Sequence, residues 1–109
     1  MKKLIAGVVL GVGLTAMAHG AGDPQAGEEN AAVCASCHGA NGAKPIMGSY
    51  PKLSGLGEKY LYRQLVLIKD KERNIAEMTG ILDNMDDQDL QDLAAYYNEQ
   101  EMVVGQADP

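Results

Sequence analysis

Apolar residues recur at helical spacing in three stretches of the chain, and no stretch alternates apolar with polar as a half-buried strand would. The last stretch is the clearest. Leu90, Leu93, Ala94 and Tyr97 fall at i, i+3, i+4 and i+7, Asp86 or Asp87 is placed to cap the helix, and Asp89 adds negative charge to its first turn. A second helix is expected from about Glu58 to Lys69, with Leu61, Leu65 and Ile68 on one stripe and Tyr62 and Val66 beside it. The first helix starts at Asp23, a capping residue, with Pro24 in the first-turn position where a missing N–H costs nothing. Small residues then recur at Gly27, Ala31 and Cys34, a smooth face onto which another helix can pack closely.

The connections read differently. Between Gly39 and Gly57 lie five glycines, Pro45 and Pro51, with no apolar period, which predicts an irregular loop. Arg73 to Asp83 predicts a turn or two of helix between loops, and residues 102–109 form a tail without packing pattern, expected to be flexible. The expected fold is one all-α domain over residues 21–101, with no internal repeat.

The residues ahead of that domain have a different character. Lys2 and Lys3 precede an uncharged stretch from Leu4 to Ala18, the pattern of a signal peptide over residues 1–20. Ala16 and Ala18 fit cleavage after Ala18; Ala18 and Gly20 fit cleavage after Gly20. The stretch is shorter than the roughly 20 apolar residues a membrane span needs, so export to the periplasm without stable membrane insertion is the expectation.

Removal of Lys2 and Lys3 leaves seven bases against fifteen acids, a formal charge of −8. Such acidity disfavours nucleic acid and anionic lipid as partners. The charge is also segregated: residues 22–43 sum to −3, residues 44–73 to +4 and residues 74–109 to −9. A mature chain of about 90 residues buries only a thin core. Without Trp or Phe, and with five tyrosines as its only aromatics, this chain needs another source of buried apolar area. A porphyrin supplies one.

The chemistry that points to a porphyrin is Cys34-Ala35-Ser36-Cys37-His38. Two thiols three residues apart lie on one side of a helical turn, where they can add to two vinyl groups on neighbouring porphyrin edges, and the next residue brings an imidazole to the iron. Cys34 and Cys37 are thus expected to be thioethers of one covalent haem c, and His38 an axial ligand. Competing readings are a structural disulfide, a thioredoxin-like pair, which expects strands, and a zinc site, which wants four ligands where the mature chain offers these three and at most terminal His19. A thioether is a soft donor that favours ferrous iron, making methionine the natural second ligand of an electron carrier. Met47, Met78, Met85 and Met102 all qualify by reach, since even the nine residues from His38 to Met47 can extend about 30 Å.

The ordered set of AGDPQAGEENAAVCASCHGANG, YPKLSGL, YLYRQL, RNIAEMTG and DLQDLAAYY resembles class I cytochromes c, most closely the first haem domain of the bacterial cytochrome c4 group and its small single-haem relatives. The resemblance spans essentially the whole mature chain. It implies the class I cytochrome c fold, with Met78, a few residues after Arg73, as the second iron ligand. It further implies that the Pro51 carbonyl accepts the other N–H of the His38 imidazole. Gly27 and Tyr96 or Tyr97 look like the close crossing of terminal helices in this fold. Arg63, Lys69 and Arg73 are candidates to pair with haem propionates. One departure stands out: the similar proteins carry a glycine after the second helix, and if Lys71 must take its left-handed conformation the cost is on the order of 1 kcal/mol.

A haem with both axial positions filled passes single electrons through its exposed edge and does little else. The expected function is a periplasmic carrier, not an enzyme, that docks transiently at its haem edge with a redox donor and a redox acceptor of a respiratory chain. Its alternatives are a fixed haem subunit of a larger complex, for which exposed apolar surface would serve a partner or self-association, and a ligand-binding haem sensor or enzyme.

Overall fold

Asp23 and Pro24 start the first helix as their chemistry dictates: the Asp23 carboxylate accepts the Gln25 N–H at 3.0 Å, and Pro24 occupies the first turn. The computed structural model describes residues 22–101. The expected signal segment, Met102 and the expected tail lie outside the described residues. Among the described residues there are four α-helices, α1 (Pro24–Asn30), α2 (Ala32–His38), α3 (Glu58–Lys69) and α4 (Asp87–Glu99), with 3-10 turns at Ala40–Gly42 and Ala76–Met78. Among the described residues there is no strand, and no helix is long and apolar enough to cross a membrane.

The periodicity of small residues through Gly27, Ala31 and Cys34 predicts one continuous helix, but the backbone tightens at Ala31. Its N–H is shared between the Gly27 and Glu28 carbonyls at 2.9 and 3.3 Å, and the Cys34 N–H reaches back only three residues, to the Ala31 carbonyl, at 2.8 Å. This 3-10 step separates α1 from α2 while keeping Ala31 and Cys34 buried.

α4 is the hub. Its N-terminus carries a capping box in which the Asp86 carboxylate accepts the Asp89 N–H at 2.8 Å and Asp89 accepts the Asp86 N–H at 3.0 Å, so Asp86, not Asp87, is the cap. The predicted stripe of Leu90, Leu93, Ala94 and Tyr97 is buried, and so are Asp92, Ala95 and Tyr96, because α4 is covered on two sides, by α1 and by α3. The α1 crossing is close: a Cβ at Gly27 would lie 2.0 Å from the Asp92 carbonyl oxygen and 2.7 Å from Tyr96 Cβ. Only glycine admits two backbones at that distance. Buried Asp92 also accepts the Asp23 N–H at 2.8 Å, so a carboxylate 69 residues away completes the start of α1.

α3 has Glu58 in its first turn and Lys69 in its last, both complementing the helix dipole. It ends in a Schellman turn, with the Glu72 N–H on the Leu67 carbonyl at 2.9 Å and the Lys71 N–H on that of Ile68 at 3.1 Å. The left-handed position of that turn is Lys71, at φ +66°. The departure noted in the sequence is therefore a departure in residue type alone; the backbone makes the turn, and lysine carries its cost.

Candidate functional site

A cavity of about 490 Å³ opens among α2, α3, α4 and the loops on either side of α3. It lies within the size range of cofactor sites. Cys34, Cys37 and His38 of α2 form one wall, aliphatic side chains such as Leu53, Leu61 and Leu65 line the interior, and Met78 enters from the loop between α3 and α4 with Ile75 and Ile81 beside it.

His38 is buried, and its Nδ1 lies 2.9 Å from the Pro51 carbonyl oxygen. A carbonyl only accepts, so Nδ1 is the donor here, and in the neutral ring this leaves the lone pair on Nε2, the arrangement a metal-binding imidazole requires. The loop that aims Pro51 is held firmly. Gly42 accepts the Leu53 and Ser54 N–H groups at 2.8 and 3.3 Å, the Gly55 N–H donates to the Tyr97 carbonyl at 2.8 Å, and the Asn98 amide donates to the Leu56 carbonyl at 2.8 Å. Gly42 itself sits at φ +70°, where a Cβ would lie 2.8 Å from the Tyr97 ring and 2.9 Å from Leu53 Cβ. The loop read from sequence as irregular is thus pinned to the end of α4 near both of its ends.

The cysteines differ in setting, Cys34 buried and Cys37 exposed, and no disulfide joins them. Burial pushes the Cys34 thiol up, a hydrogen bond with Tyr97 partly offsetting it. Burial likewise raises the Tyr97 hydroxyl, with the neighbouring Cys34 adding to the effect. Among the described residues no group of three or more His, Cys, Asp or Glu is placed to hold a metal ion, so the donors here are the two thiols, one imidazole and one thioether.

The methionines separate by position. Met47 is exposed and does not line the cavity; Met85 packs against the core while its carbonyl accepts the Lys69 ammonium; Met78 lines the cavity. Of the three bases proposed to meet propionates, Arg73 lines the cavity, with its guanidinium on Gln64 Oε1 at 2.6 Å. Arg63 does not line it, and Lys69 is engaged at Met85. Sequence reasoning missed Ile75 and Ile81, although their three-residue spacing on either side of Met78 was a usable signal. It also read Tyr97 as a residue of the last helix's apolar stripe and, with Tyr96, as a candidate for the helix crossing, whereas Tyr97 lines the cavity and meets Cys34.

The donor set fits a covalently held porphyrin. Both thiols lie on one helical wall, the imidazole presents a free lone pair, and the interior is aliphatic. An all-α fold wrapped round such a cavity, with CxxCH on its wall, defines a c-type cytochrome. The cytochrome c family model matches residues 24–100, and the chain belongs to the cytochrome c family, with the class I fold. It is 53% identical over 109 residues to cytochrome c4 of Pseudomonas aeruginosa, a match covering all of this chain and 54% of that protein. Cytochrome c-554(548) of Halomonas halodenitrificans is 38% identical over 84 residues, covering 74% of this chain and all of that protein. The crystal structure of reduced recombinant cytochrome c4 from Pseudomonas stutzeri superposes with a TM-score of 0.74 at 44% identity, over 81% of this chain and 50% of that one. The chain thus spans about half the length of the cytochrome c4 proteins it matches. Family membership implies a covalent haem c.

Proposed function

We propose that the chain is a periplasmic c-type cytochrome that binds one haem c and carries single electrons between respiratory redox proteins. Cys34 and Cys37 would hold the haem by thioethers, His38 and Met78 would ligate its iron, and Pro51 would fix the imidazole. The observation that carries this reading is the pairing of donors on one cavity: a His38 imidazole whose Nδ1 is engaged by the Pro51 carbonyl, and the thioether of Met78. When bound, the haem supplies a one-electron iron couple. The protein's part is to offer Nε2 of His38 as a strong donor, to bring a soft sulfur from Met78 and to keep water off the iron with aliphatic walls.

Residues 1–20 act as the export signal in this reading. Val33, Tyr60 and Ile81, exposed apolar side chains among those lining the cavity, provide a surface for brief contact with a redox donor or acceptor. The segregation of positive charge in residues 44–73 from negative charge in residues 74–109 orients that contact.

Reductive titration of the haem-loaded protein tests the proposal. The expected result is a one-electron Nernst curve, one electron per chain, with no change on adding carbon monoxide and a rate of electron exchange with redox proteins that varies with ionic strength. Carbon monoxide binding by the wild type would overturn the carrier reading, and a flat salt dependence would remove the charge-oriented docking.

A further inference from the structure

We propose that Lys71 is a positioning residue for Met78, closing the methionine loop through its ion pair with Asp83. The proposal rests on Met78 being an iron ligand. Its starting point is a conflict: the left-handed position after α3 suits glycine, yet Lys71 occupies it at φ +66°. Strain of this kind persists where something else depends on the residue. What the lysine adds is reach. Its Nζ lies 3.5 Å from Asp83 Oδ1, linking a residue seven positions before Met78 to one five positions after it. Lys69, two residues back at the end of α3, donates its ammonium to the Met85 carbonyl and so joins the same two ends a second time.

Between those ends the loop is weakly held. Glu72, Arg73, Asn74, Ala76, Glu77, Thr79 and Gly80 are exposed, with the Arg73 guanidinium reaching back to Gln64 of α3, and the backbone hydrogen bonds around Met78 are local ones, from Met78 to Ile75, Thr79 to Ala76 and Ile81 to Met78. Leu82 is the buried anchor. Joining the ends lowers the entropy of the open loop and returns Met78 to the cavity after each opening. Lys71 therefore acts on the lifetime of the closed loop, while its backbone works against global stability.

Opposite signs for the two effects make the test. Oxidised haem-loaded wild type, Lys71→Gly, Asp83→Asn and the double variant are mixed with saturating imidazole, so that capture at the iron is limited by loop opening, and thermal unfolding is followed in parallel. Each single variant is expected to capture imidazole about two- to fivefold faster, the range for an exposed ion pair. The ion-pair contribution of the double variant equals that of either single one, and rising salt speeds the wild type but not Asp83→Asn. Lys71→Gly is expected to unfold at a higher temperature than wild type despite its faster capture. A wild type that binds imidazole without an opening step overturns the methionine reading and this proposal together. A methionine-ligated wild type whose Asp83→Asn variant captures imidazole at the wild-type rate overturns this proposal alone.

Discussion

The two sides of the cavity are built on different terms. On the His38 side, the loop that leaves α2 and runs through Pro51 is fixed to α4 by long-range bonds: Gly55 to Tyr97, Asn98 to Leu56, and the Tyr96 hydroxyl to Asn41 Oδ1 at 2.9 Å. On the Met78 side the backbone bonds are between near neighbours in sequence, much of the backbone faces solvent, and the longer links are side-chain ones, Arg73 to Gln64 and the lysines at the loop's ends to Met85 and Asp83. The difference assigns one side to holding and the other to yielding. Perturbing the first should unfold the protein, whereas perturbing the second should open the iron and leave the fold standing.

The largest expected effect is on the fixed side. Gly42→Ala forces a side chain into a left-handed residue and against the Tyr97 ring, and should cost about 3 kcal/mol in denaturant unfolding of the haem-loaded protein. A loss under about 1 kcal/mol would mean that the loop yields as readily as the methionine side. Alkaline pH probes the same wall. The buried Tyr97 hydroxyl is raised above its value in the unfolded chain, so its contribution is complete below about pH 10 and is lost as pH rises beyond it, by up to about 1.4 kcal/mol per pH unit; Tyr97→Phe should flatten that limb. Tyr96→Phe removes the bond to Asn41 and is expected to cost about 1 kcal/mol by the same unfolding measurement. The smallest effect belongs to the yielding side and has the other sign. Lys71→Gly should stabilise by about 0.5 kcal/mol, the left-handed cost of about 1 kcal/mol relieved less about 0.5 kcal/mol for the exposed ion pair.

What could be read from the sequence follows the range of the interaction. The elements whose signals are local were legible: the Asp23–Pro24 start and the α3 and α4 stripes; the left-handed turn at Lys71 was raised only by comparison with the similar proteins, which carry glycine there. CxxCH was legible because its chemistry is contained in five residues. The break at Ala31 was not, since no proline or glycine marks it and small residues continue through it. Nor was the cap that Asp92 gives α1, or the seating of Gly42 against Tyr97, because each joins segments far apart in sequence. Met78 and Pro51 occupy a middle ground. The residues alone left four methionines open, resemblance selected one, and that one lines the cavity while Met47 and Met85 do not.

The measurement that bears most directly on a haem held between His38 and Met78 is the proton NMR spectrum of the ferrous, haem-loaded protein. A methionine bound to the iron sits in the porphyrin ring current, which moves its methyl signal far upfield of the rest. The account predicts one such three-proton signal in the wild type, retained in Met47→Ala and Met85→Ala and lost in Met78→Ala. Its absence from the wild type, or its survival in Met78→Ala, would contradict the account.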